Sequence, residues 1–369
     1  MKITKAETWF CRRDSKYLSG ASGGAPFPWD MVLLRLTAAE GYESTVSFLA
    51  SRSGLATEEY LHETILPLVL GRNTSEREVL WEEFQNYDRR MTFFPAFLPG
   101  PIDVALWELA SLEAGLPLFR YMGAKRTSLP VYGGGVCHET AAEYTREAGH
   151  LADRGIRAYK ARPRGPWRVD MKIATALRKE AGEDMILLFH PCADYTLDEA
   201  ISVGRHLEDL NFFWLQEPFR DYQMTKYRKL SEELTILVAA SETTRGPRWE
   251  ADVLMRGGVD IALADISWEN GITGALKIAS LAEELGLPCE MPGTSMGLMD
   301  LVNVHAACAI PNTGWFEYSL PAEKFCFPLK TPLKITEGRI APSELPGIGA
   351  DISWDDVDNQ CVSKRMSRI

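Results

Sequence analysis

From residue 126 onward the sequence repeats one unit, and this repetition restricts the possible folds more than any other feature. A short β-branched or apolar run is followed by a loop and then by a longer segment with helical spacing. The runs are SLPVYGG, IRAYKAR, MILLFH, FFWLQEP, TILVAASE, DIALADI, LPCEMP and WFEY. Between them lie segments such as AAEYTREAGHLADRG and ITGALKIASLAEELG, the second predicting Leu276, Ala279, Leu281 and Ala282 on one apolar helix side. Helix starts are marked by Thr140 with Glu143 and Thr196 with Glu199, each spaced as a capping box. Units of this kind, about eight at ~25 residues each, predict a parallel (β/α) barrel. The alternative, a doubly wound open sheet, calls for a GxGxxG turn that the sequence lacks.

The first 125 residues follow a different plan. KITKAETWF and MVLLRLTAAEG alternate like strands, YLSGASGGAPFPW between them reads as a hairpin loop or a lid, and helical segments run on through PIDVALWELASLEAG. After residue 320 helical periodicity stops and LKITEGRI reads as a further strand, so the tail is expected to return to the N-terminal region. The expected division is 1–125 for an N-terminal cap, 126–320 for the barrel and 321–369 for a C-terminal segment rejoining the cap.

Charge and cysteine usage narrow the function. A formal net charge of -11 with no basic run disfavours nucleic acid and anionic membranes as partners. Seven scattered cysteines without a CxxC pair point to reduced thiols, and MKITKAETWF has no apolar leader, so a cytoplasmic location is expected.

In a parallel barrel the C-terminal strand ends converge on one mouth, so polar residues there share a site. The second run ends in Lys160-Ala161-Arg162, whose alternation places both cations on one side of the strand. The third run ends at His190, the fourth at Glu217, the fifth at Glu242, and the sixth carries Asp265. Oxygen-rich sets of this kind suit Mg²⁺, and an imidazole shifts preference towards Mn²⁺, Fe²⁺ or Zn²⁺. The same residues also satisfy a metal-free network in which the glutamates pair with Lys160 and Arg162.

PIDVALWELASLEAGLPLFRYMGA, GIRAYKARPRG, LQEP, AASE, DIALADISWENGITGALKIASLAEELG, VHAACAIPNTGWFEY and LKITEGRIAPSELPGIGADI together resemble the enolase superfamily, in its mandelate racemase and muconate lactonizing enzyme branch. The resemblance covers nearly the whole chain. It implies a TIM-like (β/α)7β barrel with an α+β cap built from both termini. It also implies a Mg²⁺ that holds a substrate carboxylate while a base takes the α-proton, and assembly into dimers or octamers. YLSGASGGAPFPW then corresponds to the loop that closes over the substrate. Glu317 falls where racemases hydrogen-bond the substrate carboxylate, and Tyr132, Trp268 and Ser295 are the expected substrate contacts.

Three positions depart from the family pattern. An Asp-x-Asn that supplies the first metal ligand is replaced by His190-Pro191-Cys192, which removes a negative charge and lowers the expected Mg²⁺ affinity; Cys192 or Asp194 are possible substitutes. Arg162 stands where racemase-like members carry the basic Lys, and the expected His position in CEMPGTSMG falls near Gly293 with no His close by, so a pairing of Asp265 with a histidine is not expected. His305 is expected to be structural, His62, His150 and His206 to lie on helix surfaces, and His138 to follow the first strand. The reading is a metal-dependent sugar-acid dehydratase, with Lys160, Arg162, Asp265 and Glu317 catalytic and His190, Glu217 and Glu242 on the metal. A racemase or epimerase, or a binding protein that has lost the chemistry, are the alternatives.

Overall fold

The computed structural model describes residues 1–14, 28–51, 53–90, 95, 97–192, 195–220, 222–242, 244, 246–267, 271–293 and 296–369. Most of YLSGASGGAPFPW, together with Asp194, Trp268 and Ser295, lies outside these residues.

The cap begins with three antiparallel strands, β1 (Ile3–Asp14), β2 (Pro28–Ala38) and β3 (Glu43–Ser51). Every predicted run of the repeat then forms a strand: β4 (Leu129–Gly134), β5 (Ala158–Ala161), β6 (Ile186–Phe189), β7 (Trp214–Gln216), β8 (Leu237–Ala240), β9 (Ile261–Leu263), β10 (Cys289–Glu290) and β11 (Phe316–Ser319). The chain ends with β12 (Arg339–Ile340) and β13 (Cys361–Arg368).

Strands β4 to β10 pair in parallel in sequence order, β11 pairs with β4, and a bridge between Met291 and Phe316 closes the ring. Each strand from β4 to β10 is followed by a helix, the first being Ala141–Asp153 and the last Leu298–Ala309. The architecture is therefore (β/α)7β. Both predicted capping boxes form, with Glu143 and Glu199 accepting from the backbone N–H of Thr140 and Thr196 at 2.9 Å each.

Three expectations need correction. In LKITEGRI only Arg339–Ile340 forms a strand, and it pairs with β4 at the foot of the barrel. The segment that returns to the cap is β13, which completes the sheet order β13-β1-β2-β3. The helix Gly271–Glu284 buries Ile272, Ala275, Ile278, Ala279 and Ala282, while Leu276 and Leu281 pack only partly buried at the margin of the same core. His62 is buried rather than on a helix surface, its two ring nitrogens engaging Thr8 and Ser367.

Cap and barrel meet through the helix Pro99–Glu113. Asp103 on it accepts from the Thr273 backbone N–H at 2.8 Å and from its hydroxyl at 2.6 Å. Gly271 makes this approach possible: its φ is +90°, and a Cβ there would sit 2.4 Å from the Asp103 carboxylate. No helix among the described residues is long and apolar enough to cross a membrane.

Candidate active site at the barrel mouth

Alternation along β5 puts Ala158, Lys160 and Arg162 towards the barrel axis, while Tyr159 and Ala161 pack under the helices. The same rule on β6 aims Leu188 and then His190 inward, and on β7 Trp214 and Gln216. Period two would send Glu217 outward. A left-handed backbone at Glu217, φ +44°, breaks the alternation and turns its carboxylate back to the mouth. The end of β8 uses the same device one residue earlier. Ser241 adopts φ +91°, its hydroxyl bonds Glu250 on the following helix, and Glu242 faces the mouth.

His190, Glu217 and Glu242 are all buried, and one ligand atom of each lies within 4.8 Å of the others. His190 Nε2 is 3.4 Å from Glu217 Oε2. Burial, reinforced by the charges of Lys160, Arg162 and Arg164, pushes the imidazole far below its ordinary pKa. This contact therefore joins a neutral ring to a carboxylate and is no ion pair. His190 Nδ1 has no hydrogen-bond partner among the described residues. Two carboxylates and a neutral imidazole, gathered and buried with an unmatched ring nitrogen, form a donor set that fits a divalent cation. Cys192 stands apart from the set: its thiol lies 3.6 Å from the His190 carbonyl, and burial lifts its pKa to about 11.

Across the mouth, Glu317 collects four donors. Lys160 Nζ and Tyr132 Oη donate to Oε2 at 2.7 and 3.0 Å, the Gly293 N–H to the same oxygen at 3.2 Å, and Arg162 to Oε1 at 2.7 Å. Burial would raise the Glu317 pKa, but Lys160 and Arg162 reverse this and hold it at about 2. Burial draws the Lys160 pKa below its ordinary value despite the pull of Glu317. It also works against the charge on Arg162, yet Glu317 and Glu242 keep that pKa above the ordinary value. Tyr132 lies beneath this layer, fully buried against Trp214.

Gly134 and Gly293 leave the space that Glu317 fills. A Cβ at Gly134 would meet Glu317 Oε1 at 2.1 Å, and one at Gly293 would meet the Glu317 carbonyl at 3.0 Å and Ser319 Oγ at 3.2 Å. At Gly293 the backbone itself serves as a donor to Glu317. Asp265 is buried at the mouth and accepts from the Ser267 N–H at 2.6 Å. His138 reaches only the rim, with Nε2 3.2 Å from Glu147, and His305 is structural, its Nδ1 accepting from the Phe119 N–H.

Sequence reasoning assigned no role to Gln216. Its side chain joins the two halves of the site, accepting from Lys160 Nζ at 3.1 Å and donating to Glu242 Oε2 at 2.5 Å. Alternation from Trp214 was the available signal.

Fold and site define a class: cap-and-barrel proteins with a candidate metal centre and a buried lysine at the C-terminal strand ends. Residues 143–357, more than half the chain, match the enolase C-terminal domain-like family. The chain belongs to this family, within the mandelate racemase and muconate lactonizing enzyme branch of the enolase superfamily. It is 26% identical to arabinonate dehydratase of Saccharolobus solfataricus over 92% of both chains. It is 23% identical to 3,6-anhydro-alpha-L-galactonate cycloisomerase of Streptomyces coelicolor, over 92% of this chain and 93% of the relative. D-glucarate dehydratase from Agrobacterium tumefaciens, solved in complex with magnesium, has a TM-score of 0.87 at 26% identity, covering 98% of this chain and all of that one.

Proposed function

We propose that this protein is a metal-dependent dehydratase of sugar acids in which Lys160 is the only base at the reacting carbon. The observation that carries this reading is the asymmetry of the mouth. The mouth presents the buried Lys160 amine, and Gly293 at the end of β10 brings no side chain that could act as a second base; one there would press on the Glu317 carbonyl and Ser319.

His190, Glu217 and Glu242 are the proposed metal ligands, with Mg²⁺ favoured by the magnesium-bound relatives and Mn²⁺ or Zn²⁺ admitted by the imidazole. A divalent cation held there neutralises the substrate carboxylate and stabilises the charge that develops on it as the α-proton leaves. Burial favours the neutral amine of Lys160, the form that accepts this proton. The C–H electrons form a carbon–carbon double bond as the β-hydroxyl departs. Lys160, now an ammonium, returns the proton to that hydroxyl on the same face, and water leaves. The resulting enol tautomerises to a 2-keto-3-deoxy acid. Arg162 stays cationic and, with Glu317, positions Lys160; Gln216 holds the same amine in register with Glu242.

A racemase needs a base on each face, and Gly293 argues against one. A binding protein without chemistry has no need of a buried triad of donor side chains beside a buried lysine. Assembly into a homo-oligomer, a cytoplasmic location and the division at residues 125 and 320 belong to the same proposal.

The test is incubation of Mg²⁺-loaded protein with a panel of hydroxy acids in heavy water, following α-deuterium and 2-keto acid, with Lys160→Met as control. Keto acid that disappears in the control is expected. Absence of both signals across the panel would overturn the reading.

A further inference from the structure

The cysteines are scattered along the sequence, and the fold brings two of them face to face. Cys11 lies on β1, Cys361 opens β13, and the two are partners in the antiparallel ladder that joins these strands. A bulge between Phe10 and Cys11 sets this pairing; continued without it, the register that matches Phe10 with Ser363 would put Cys11 against Val362. Cys11 is buried in a small cap cluster with Trp9, Met31, Leu33 and Val357, and the partly exposed Cys361 packs against the same cluster. Both thiols are therefore on one side of the sheet.

The spacing suits a bond between them. Opposed residues of an antiparallel pair have Cα atoms about 4.5–5.5 Å apart, inside the range of about 4.4–6.8 Å that a disulfide spans. Neither thiol is strongly held elsewhere. Cys11 Sγ donates to the Val357 carbonyl at 3.6 Å and Cys361 Sγ to the Ser363 carbonyl at 3.1 Å, and a thiol is a weak donor. The ladder also ends at this pair, because Cys361 directly follows the helix Trp354–Gln360, so a small approach of the two sulfurs disturbs no further rung.

The two thiols differ in reactivity. Burial, with the negative charge of a Cys361 thiolate next in weight, pushes the Cys11 pKa up to about 12. Burial raises the Cys361 pKa as well, while Lys364 opposes the rise. Cys361 is the thiol that an oxidant in solution meets first.

We propose that Cys11 and Cys361 form a reversible disulfide when the protein meets a low-molecular-weight disulfide such as oxidised glutathione, fastening β13 to β1 and closing nearly the whole chain into one loop. The Cys361 thiolate attacks one sulfur of the oxidant, whose S–S bond breaks, expelling one thiolate and leaving a mixed disulfide on Cys361. Capped in this way, Cys361 no longer opposes ionisation of Cys11. The Cys11 thiolate then attacks Cys361 Sγ, and the second half of the oxidant departs. Each cysteine is oxidised by one electron, and their two protons end on the two thiols to which the oxidant is reduced. The bond restricts the unfolded chain, and does so more the longer the loop it closes. β13 gains most from it, since it is an edge strand paired with β1 alone. The inference is independent of the dehydratase reading, because both cysteines lie in the cap sheet.

The experiment is incubation of the full chain with oxidised glutathione at about pH 8.5, where an ordinary thiol is half ionised, followed by alkylation, digestion and peptide mapping without reduction. A peptide pair linked through Cys11 and Cys361 is expected. The melting temperature should rise by about 3 °C or more, and dithiothreitol should abolish the rise. Cys361→Ser should lose both the link and the shift, and Cys326→Ser should keep both. The inference is overturned if both cysteines are alkylated after oxidation, if Cys361 stops at the mixed disulfide with glutathione, or if the linked pair forms with no rise in melting temperature. The map of the parent protein decides the first two outcomes even where a variant fails to fold.

Discussion

Lys160 Nζ lies 2.7 Å from Glu317 Oε2, and both side chains are sealed in the barrel at 0% and 1% exposure. Glu317 supports the charge on Lys160, while burial and Arg162 oppose it. Glu317→Gln keeps the shape and removes the anion, so that buried Arg162 loses its hydrogen-bonded counter-charge and Lys160 loses the carboxylate that supports its charged form. Stability should fall by about 3–5 kcal/mol. With its support gone, the Lys160 pKa drops further, so the rising limb of the pH–rate profile should shift to lower pH. Denaturant melts and rate profiles of both proteins check this; a limb displaced upward would contradict it.

His190 occupies a position where a carboxylate would add a negative charge to the triad. His190→Asp should therefore tighten Mg²⁺ binding by about tenfold or more, equivalent to about 1.4 kcal/mol. It should also weaken the relative preference for Zn²⁺. Competition titrations with the two metals measure both effects. Equal Mg²⁺ affinity in the two proteins would mean that His190 lies outside the ligand set.

Gly293→His adds an imidazole at the end of β10, near where the family's second base is expected. The new Cβ would press on the Glu317 carbonyl and Ser319 Oγ. We expect destabilisation of about 1–3 kcal/mol and no gain of racemisation. Thermal melts and chiral analysis of recovered substrate decide the matter, and appearance of the epimer would show that the site accommodates a second base.

Glu108, on the helix Pro99–Glu113, is buried and accepts from Ser44 Oγ of β3 at 2.5 Å and from the Ile348 N–H of the C-terminal segment at 3.2 Å. Burial raises its pKa to about 7, above the ordinary value of ~4.3. A raised carboxylate pKa means that the folded state holds the proton more tightly. Its contribution is complete below about pH 4 and is lost as pH rises through about 7. Glu108→Gln, which mimics the protonated form, should match the parent near pH 4 and exceed its stability by about 1–3 kcal/mol at pH 8. A parallel pair of stability curves from pH 5 to 8 would contradict this.

The repeat of apolar runs and amphipathic segments was sufficient to predict all eight barrel strands, because both signals are local and each run ends where its polar residue begins. β3 and β13 went unread. ESTVSFLAS and CVSKRMSR gain strand character from pairing with β2 and β1, and nothing within either segment marks those partners. His62 was misread for a similar reason, since Thr8 and Ser367 reach it from strands distant in the chain.

The sequence by itself determined the barrel and the identity of the polar groups at its mouth, because strand alternation and helix periodicity are properties of neighbouring residues. Tertiary structure alone decided how those groups share their charges. Left-handed turns at Ser241 and Glu217 redirect two carboxylates, Gln216 ties Lys160 to Glu242, and the glycines at 134 and 293 let Glu317 occupy the far wall. Each of these depends on backbone geometry and contacts across the ring, where partners lie up to 185 positions apart, as Tyr132 and Glu317 do. Hydrogen bonding and desolvation act through space, so a rule that reads along the chain names the participants without showing which of them meet.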